Sequence, residues 1–583
     1  MYKKILYAVI TVIIITFLFA CDTKTEGDKN TEKYYEYHND KGIGFFYPGK
    51  MERLSGIAKI YGLAYIGEGW DEEDKGVGKV IVNFGDKKEM IARTYVKDRY
   101  WIRTFDTSEF KDGPLKIKVT AYDKSGNLIG TATNVVLIDN SNSTVLRRIY
   151  VSPNGKSQNK GTIDSPLDIN TGIDNLKPGD VLFLREGVYK DNIVLQTSGT
   201  SEHPITIMNF PGERVELKEA NIRIGLGVEY LNILGIDQGG LRQLASGVEL
   251  GDSAKYIEFW DCSFNDNTHP YEQSKENVDL SYGTGFLSDI TRTDSPEGNR
   301  KFITISHCEA KYNDVDGFNL SSIDHGRFQF LESAWNPNHK NKNIFQYKHA
   351  NGFVNKNSSY QHWGVDSEDN VYLFCYAHHN GQDGWDLRSP HGYLFGCVSS
   401  NTAQAGNDFG GVGMKFWEYD YKVFSSVNFR NNLIDHTGGG MIIGKKTDGY
   451  INRYTFIYNT VFYETPEYAI VYPENSGYIF AKNDIFMDYY GIEDSPLLTK
   501  NTIFYGKGGV PSIGQNIINK NPEFINPKVG NFFFKEDSPA LTNGNTDGMT
   551  FFVDGIDYCK YDGLGRPRYS NKEIGAYTFY SEK

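Results

Sequence analysis

A short pattern recurs in the second half of the chain, an x-Gly-Φ-x-Φ element in which Φ is usually apolar. Its glycines are residues 317, 352, 384, 413 and 440, so successive copies lie 35, 32, 29 and 27 residues apart. The segments CEAKYNDVDGFNL (308–320) and CYAHHNGQDGWDL (375–387) are the most similar pair and lie two intervals apart. A repeated unit of this size buries its apolar face by stacking on its neighbours. The sequence therefore predicts a solenoid built of these rungs.

The length and composition agree with a strand-rich repeat protein. A chain of 583 residues exceeds one ordinary core, so two or more domains or a repeat array are expected. The 61 Gly, 40 Tyr and 36 Phe against 19 Pro favour an all-β fold rich in turns. The net charge of −13 gives no support for a nucleic-acid partner. An acidic polymer as substrate would need local basic side chains or a bound cation.

The N-terminus has the features of an export signal. Lys3 and Lys4 precede one apolar run, residues 5–20, which is short for a membrane span and typical of a signal peptide over residues 1–20. The run ends in LFAC, which resembles a bacterial lipobox and implies that Cys21 is lipidated. The expectation is an exported lipoprotein at the outer membrane, the cell surface or in the periplasm, which touches membrane only through its lipid. An uncleaved membrane anchor is the alternative.

Two domains are expected after a polar tether at residues 21–50. Residues 51–140 show short alternating strands at the spacing of a β-sandwich. The stretch FKDGPLKIKVTAYDKSGNLIG resembles bacterial immunoglobulin-like modules, which implies a spacer, with carbohydrate binding as the alternative. Residues 140–144 (NSNST) are the predicted linker.

Residues 147–583 are expected to form the solenoid. Its first segment, RRIYVSPNGKSQNKGTIDSPLDINTGIDNL, resembles the opening of secreted right-handed parallel β-helices, with INTGIDNL as a short helix over the exposed end. The final segment, DYCKYDGLGRPRYSNKEIGAYTFY, resembles the closing segments of such proteins and is assigned a capping role. The predicted fold class is therefore all-β, a right-handed parallel β-helix preceded by an immunoglobulin-like β-sandwich. A monomer is expected.

The cysteines carry no chemistry in this interpretation. Cys262, Cys308, Cys375, Cys397 and Cys559 form no tight Cys-x-x-Cys pair, which argues against a zinc or redox motif. Most of them precede an Asn- or Ser-rich turn. They are interpreted as small buried side chains.

Because side chains alternate along a strand, the repeat predicts which residues lie on the outer face of the solenoid. The two Φ residues of each copy point into the core, so the residue between them points out. Asp386 and Lys415 then lie outward on neighbouring rungs, about 4.8 Å apart in the pairing direction. The full outward column is Asn319, Val354, Asp386, Lys415 and Ile442.

Four side-chain oxygens gather beside this column. Asn351, Gln382, Asp383 and Asp386 offer them over two rungs, and hard oxygen donors suit Ca²⁺. The alternative is an Asn/Asp hydrogen-bond ladder without metal. Asp383 in particular belongs to an ordinary Asp-Gly turn.

Lys415 is the candidate base. A cation bound beside it would disfavour its protonated form, and a neutral amine is a competent base. Next to the carboxylate of a uronic acid, this pair predicts β-elimination: the cation neutralises the carboxylate and the amine removes H5 as the C4–O bond breaks. The alternatives are a simple salt bridge to Asp386, or a base elsewhere, such as His362 or His436.

Three motifs on successive rungs resemble the site of the family-nine polysaccharide lyases: NGFVNK, AHHNGQDGWDL and GVGMKFW. These β-helix enzymes cleave pectic polymers, polygalacturonate or rhamnogalacturonan. By position, the resemblance implies that Asn351, Gln382, Asp383 and Asp386 are Ca²⁺ ligands and that Lys415 is the catalytic base. Asn351 and Gln382 stand where the family usually has acids, which should weaken Ca²⁺ binding.

Further residues were considered as substrate contacts. Arg388 follows the acidic rung, Lys445 lies beyond Ile442, and Trp363 and Trp417 are aromatics that could stack on sugar rings. Solvated charges and buried loop anchors are the alternatives.

Three other functions were weighed. A β-helix glycoside hydrolase needs paired carboxylates as acid and base, and Lys415 stands where an acid would be required. A non-catalytic surface glycan-binding protein is compatible with the lipid anchor and the sandwich. A lyase for alginate or a glycosaminoglycan differs from the pectic prediction only in its uronate polymer.

Overall fold

The structure is a computed structural model, and it describes most of the chain beyond the predicted signal peptide. The described residues are 33–67, 70, 76–86, 88–241, 245–268, 283–288, 300–336, 350–355, 369–387, 391–402, 411–418, 425–445, 453–466, 468–471, 478–489, 497–506, 514–545, 552–553, 556–568, 570 and 572–580. In this part of the chain, no helix has the length and apolarity needed to cross a membrane.

Nine strands form the N-terminal sandwich. They are β1 (Tyr35–Tyr37), β2 (Lys41–Tyr47), β3 (Arg53–Leu54), β4 (Ile57–Ile66), β5 (Val77–Phe84), β6 (Lys88–Tyr95), β7 (Tyr100–Asp106), β8 (Gly113–Asp123) and β9 (Leu128–Ile138). We call β1-β2-β4-β7-β6 the inner sheet and β6-β5-β8-β9-β3 the outer sheet, with β6 shared between them. Alternate residues of both sheets, among them Phe45, Trp101, Val82 and Val119, are buried between the two sheets.

The sandwich begins earlier than the sequence indicated. The predicted tether, residues 21–50, is wrong from Tyr35 onwards, because β1 and β2 pair as an antiparallel hairpin at the edge of the inner sheet. The physical reason is the apolar content of β2, whose residues Ile43, Phe45 and Phe46 are each at most 2% exposed. The polar residues of the turn between β1 and β2 made the segment resemble a tether in the sequence.

The second domain is an array of short strands in chain order. They are β10 (Arg147–Val151), β11 (Asp180–Leu184), β12 (Gly187–Tyr189), β13 (Ile193–Leu195), β14 (Ile205–Asn209), β15 (Val215–Lys218), β16 (Ile222–Ile224), β17 (Glu229–Leu234), β18 (Ile236–Gly239), β19 (Val248–Leu250), β20 (Lys255–Asn265), β21 (Phe286–Leu287), β22 (Arg300–Lys311), β23 (Phe318–Asn319), β24 (Ile323–Asp324), β25 (Arg327–Ala334), β26 (Phe353–Asn355), β27 (Asn370–Leu373), β28 (Tyr376–His378), β29 (Trp385–Leu387), β30 (His391–Phe395), β31 (Val398–Ser400), β32 (Val412–Glu418), β33 (Ser425–Arg430), β34 (Leu433–Asp435), β35 (Gly439–Lys445), β36 (Arg453–Tyr458), β37 (Val461–Thr465), β38 (Ile470–Val471), β39 (Tyr478–Lys482), β40 (Ile485–Tyr489), β41 (Leu497–Tyr505), β42 (Gly514–Ile518), β43 (Phe524–Asn526), β44 (Asn531–Phe534), β45 (Phe552–Val553) and β46 (Ile556–Asp557).

Strands β10 to β42 stack as a parallel β-helix, which confirms the predicted fold class, and β43-β44 and β45-β46 form two antiparallel pairs after it. Ten short strands, β13-β16-β19-β21-β23-β26-β29-β32-β35-β38, form the narrow sheet. Twenty-three others, from β10 to β42, form the wide sheet, which bends where residues such as Phe330 and Phe374 adopt left-handed conformations. The core between the sheets is apolar and includes the buried cysteines Cys262, Cys308 and Cys375.

The N-terminal end of the solenoid is covered as the sequence predicted. The helix α1 (Ile169–Asp174) is capped by Asp168, whose carboxylate accepts the Thr171 N–H at 2.8 Å. Its residues Ile169 and Ile173 are buried against the first strands of the wide sheet. The helix thereby shields strand edges that would otherwise face water.

The C-terminal segment does more than cap an end. Residues 556–580 lie along the bend of the wide sheet, where the Asn431 side chain donates to the Tyr561 carbonyl and the Gly575 N–H donates to the Asn483 carbonyl. The segment also reaches the sandwich, because the buried Arg566 donates to the Tyr65 hydroxyl at 3.1 Å. The predicted capping role is therefore corrected to that of a strap along the flank of the β-helix.

The sandwich is not a separate spacer either. The outward face of the inner sheet, including Tyr61, Tyr100 and Ile102, is buried with Phe330 and Phe374 of the wide sheet in one apolar cluster. The Tyr100 ring centroid lies 4.7 Å from that of Phe330 and 5.7 Å from that of Phe374. The inner sheet therefore packs its apolar side chains on both of its faces, against the outer sheet on one and against the β-helix on the other.

Polar contacts fix the orientation of the docked sandwich. Arg93 lies 2.7 Å from Asp237 and 3.3 Å from Asp261, and the Tyr95 hydroxyl donates to Asp261 at 2.8 Å. The Lys97 N–H donates to the Glu332 carboxylate at 3.0 Å. Buried charges tolerate burial only when paired in this way, so these contacts hold one docked arrangement.

The shared cluster predicts that the two domains unfold together. Tyr100→Ala removes a ring that is 1% exposed and should lower the free energy of unfolding by about 3–5 kcal/mol, since it leaves a cavity between the domains. Thermal unfolding of the full chain should then show one transition at a lower temperature. Ile91→Ala is the control, because Ile91 is 64% exposed and its loss should change stability by less than about 0.5 kcal/mol. A separate early transition for the sandwich would contradict the shared cluster.

Candidate active site

The narrow sheet has the register that the repeat predicted. Asn319 pairs with Val354, Val354 with Asp386, Asp386 with Lys415, and Lys415 with Ile442. The flanking residues, Trp385, Leu387, Met414 and Phe416, lie in the core. Asp386 and Lys415 are therefore neighbours on adjacent strands with their side chains on the outer face.

This outer face is nonetheless shielded from water. Asp386 is 2% exposed, and the Lys415 side chain is 16% exposed. Charged groups so poorly hydrated interact more strongly with one another than they would on an open surface. The site thus has the low-dielectric surroundings in which a lysine and two carboxylates influence each other.

A ladder of hydrogen bonds connects the turns of successive rungs next to this outward column, from Asp316 to Val412. The Asp316 Oδ1 atom accepts both the backbone N–H and the side-chain Nδ2–H of Asn351, each at 3.1 Å. The Asn351 Oδ1 atom accepts the Asp383 N–H at 3.1 Å, and Asp383 Oδ1 accepts the Val412 N–H at 2.9 Å. Asn351 and Asp383 are fully buried. The ladder that the sequence offered as an alternative is therefore present.

The ladder explains why an amide stands at position 351. Asn351 both donates to Asp316 and accepts from Asp383, which a carboxylate cannot do. An ionised acid at this position would also face the Asp316 carboxylate at close range. Asp316 is the residue that sequence reasoning missed, although it occupies the equivalent Asp-Gly turn one rung before Asn351.

Asp383 has one carboxylate oxygen beyond the ladder. Its Oδ2 atom lies 3.3 Å from Lys415 Nζ, an ion pair between adjacent rungs. The pKa of Asp383 is raised to about 6, mainly by burial and also by the nearby Asp386, while Lys415 acts in the opposite direction. The lysine therefore lies against a pair of acids whose negative charges disfavour each other.

The donor set fits a divalent cation. Two carboxylates held together in a shielded place gain from a cation between them, and Gln382 adds an amide oxygen from the same turn. Asn351 Oδ1 already accepts one hydrogen bond, so a ligand role would use its second lone pair. In the part of the chain that the structure describes, no three His, Cys, Asp or Glu side chains form a metal-binding group, so amides are needed to complete any coordination here.

Comparison with known proteins finds a β-helix family model and curated pectate lyases among the matches. Residues 149–423 match a family model described as a Pel9A-like, right-handed beta helix region. The curated protein Pectate lyase L of Thermoclostridium stercorarium is 28% identical over 313 residues, which is 50% of this chain and 21% of that protein. Pectate lyase PEL9 of Emericella nidulans is 40% identical over 70 residues, which is 12% of this chain and 17% of that protein.

Residues 149–423 have the Pel9A-like β-helix fold of that family model. A crystal structure of pectate lyase Pel9A aligns with 75% of this chain and 97% of its own length, at 14% identity and a TM-score of 0.42. The chain spans about a fifth of the length of the curated relatives named above. The matched residues of the family model include all four candidate ligands and Lys415.

Some of the predicted site residues lie in the described part of the β-helix, and others lie outside it. The structure places five of them, Asn351, Gln382, Asp383, Asp386 and Lys415, on three successive rungs. Four other candidates, Cys21, His362, Trp363 and Arg388, lie outside the described residues, and Trp417 and Lys445 lie in described strands whose side chains there are not described. These assignments stay predictions.

His436, the other alternative base, lies one rung beyond Lys415. Its Nδ1 atom is 3.1 Å from Asp435 and its Nε2 atom is 3.3 Å from Glu464. Both ring nitrogens therefore already face a carboxylate, which leaves neither available to accept a proton from a substrate. The geometry therefore favours Lys415 over His436.

The ladder yields a test at Asn351. Asn351→Ala leaves the buried Asp383 N–H without an acceptor and should lower the free energy of unfolding by about 1–3 kcal/mol in the presence of chelator. Asn351→Asp keeps the acceptor but loses the donor to Asp316, so it should destabilise more at neutral pH than in acid. Denaturant unfolding measures both. Wild-type stability of both variants would mean that the ladder contributes nothing.

Proposed function

We propose that the chain is an exported polysaccharide lyase that cleaves a uronate-containing polymer, most simply a pectic one, by β-elimination with Lys415 as the base. The observation that carries the proposal is the ion pair of Lys415 with Asp383 next to Asp386, on the outer face of the narrow sheet. The similarity to pectate lyases supports the pectic choice. Polygalacturonate and rhamnogalacturonan are the first polymers to test.

The proposed reaction uses few protein groups. The neutral Lys415 amine takes the proton from C5 of the uronate, the electron pair forms the C4–C5 double bond, and the C4–O bond breaks. The departing oxygen takes up a proton, so the products are a new reducing end and an unsaturated uronate. The shielded position of Lys415 keeps bulk water from competing with the substrate for the amine.

The proposed role of the acids is to hold the cation that this reaction uses. Asp383, Asp386 and Gln382, with Asn351 behind them, would hold Ca²⁺. When bound, the ion would neutralise the uronate carboxylate and make H5 more acidic. Asp383 would then turn from the partner of Lys415 into a ligand, which releases the amine from its ion pair.

Export as a lipoprotein is part of the same proposal. The apolar run before Cys21 has the length of a signal peptide and supports export. A polymer too large to enter a cell must also be cut outside it. The lipid would then hold the enzyme at the membrane while the folded domains reach the polymer.

Substitution of Lys415 tests the base. Lys415→Ala should reduce the rate of unsaturated-product formation, followed by ultraviolet absorbance, by about 10²–10⁴-fold or more. Lys415→Arg should be nearly as inactive, because a guanidinium stays protonated at ordinary pH. The wild-type rate should rise with pH as the amine loses its proton. Lys500→Ala, at an exposed lysine of β41, is the control and should keep full activity. An active Lys415→Arg enzyme would overturn the assignment.

Metal removal tests the acids separately. With two full charges in the donor set, Ca²⁺ affinity should be weak, in the range of about 10⁻⁴–10⁻³ M. Chelation should abolish turnover and added Ca²⁺ should restore it, while Asp386→Asn should raise the Ca²⁺ concentration needed for half-maximal rate. Full activity after exhaustive chelation would leave the ladder as the sole role of these residues.

A further inference from the structure

The outer sheet of the sandwich is the sheet face that docking leaves open. The inner sheet is buried against the β-helix, whereas the outward residues of β5, β6, β8 and β9 are exposed or partly exposed, apart from Thr120 at 8%. Their register is fixed by the pairs of Lys79 with Tyr122 and of Lys118 with both Asn83 and Thr133. The outward set is Lys79, Ile81, Asn83, Glu89, Ile91, Lys116, Lys118, Thr120, Tyr122, Thr131, Thr133 and Val135.

This face is basic in an acidic protein. It carries three exposed lysines, Lys79, Lys116 and Lys118, and one acid, Glu89, whereas the whole chain has a net charge of −13. Glu89 lies at the edge of the set and accepts a hydrogen bond from Asn83 at 3.0 Å. A local reversal of charge attracts anions that the rest of the surface repels.

The groups between the lysines suit a polyhydroxylated ligand. Tyr122 lies under the Lys79 ammonium, 5.0 Å from ring centroid to Nζ, so the aromatic ring and the charge form one unit. Threonine hydroxyls and the Asn83 amide provide short hydrogen-bonding groups on a flat sheet. Ile91 is the one strongly exposed large apolar side chain of the set, so a bilayer would find little to insert.

We propose that this outer face, defined by Lys79, Lys116, Lys118 and Tyr122, is a docking surface for an anionic, uronate-bearing polysaccharide. The choice of a uronate polymer rests on the proposed function, whereas the choice of an anionic polymer rests on the charge of the face itself. Because the sandwich is docked on the β-helix, a polymer held here stays tethered to the domain that carries the proposed site. Exposed lysines bind weakly and in a salt-dependent manner, as processive sampling of a polymer requires.

Binding can be measured apart from turnover. The Lys415→Ala chain serves as the background, with chelator present, and its retention on immobilised polygalacturonate is measured against salt. Into it are placed Lys79→Ala, Lys116→Ala and Lys118→Ala together. The matched control carries Lys156→Ala, Lys160→Ala and Lys177→Ala, the same charge change at exposed lysines of the β-helix domain. Anionic phospholipid vesicles serve as a second probe for every variant.

The proposal expects a specific loss. The outer-face triple variant should bind polygalacturonate about tenfold more weakly and with a smaller salt dependence, whereas the control should bind within about twofold of the background. Equal losses in both triple variants would show a net-charge effect and overturn the proposal, as would unchanged binding. A loss of vesicle binding alone would assign the face to lipid instead. Absence of lyase activity in the wild type, with the specific loss retained, would refute only the proposed function.

Discussion

The in-register parallel pairing of the narrow sheet is the constraint on which the rest of the site depends. Its strands have two to seven residues, and burial of the apolar positions determines which residue faces outward. A slip of one residue would exchange Trp385 for Asp386 in the core. Asp386 therefore lies beside Lys415 for the same reason that the solenoid folds at all.

The cost of this arrangement is paired acids in a shielded place. The ladder through Asp316, Asn351 and Asp383 satisfies the backbone of each turn but places ionisable groups where they are poorly hydrated. Lys415 offsets part of the cost by its contact with Asp383. A site that gains from either a lysine or a metal ion at the same carboxylate can exchange one for the other, which is what a lysine base assisted by a cation needs.

The docked sandwich and the C-terminal strap both cover the wide sheet, whereas the narrow sheet carries the proposed site. The sandwich covers the bend of the wide sheet near Phe330 and Phe374, and the strap covers it near Asn431 and Asn483. Of the faces described, the narrow sheet is thus left to present its outward column. Stability of the array and placement of the site follow from the same packing.

The sequence predicted the rungs, their register and the candidate site because a period-two pattern determines which side chains point outward. It could not predict the docking of the sandwich, since an aromatic residue such as Tyr100 fits an inner core and an interface equally well. It also placed the tether across β2, whose apolar residues are flanked by polar turns. The pairing of Lys415 with Asp383 depends on side-chain conformation, which strand register alone leaves open.

The central claim is that the site breaks a uronate polymer by elimination, and the fate of water tests it most directly. Cleavage of polygalacturonate in water enriched in heavy oxygen, followed by mass spectrometry of the fragments after correction for exchange at the reducing end, distinguishes the chemistries. The account predicts unsaturated non-reducing ends and no heavy oxygen introduced by the cleavage itself, because elimination consumes no water. Saturated ends with one heavy oxygen for each bond broken would show hydrolysis and contradict the account.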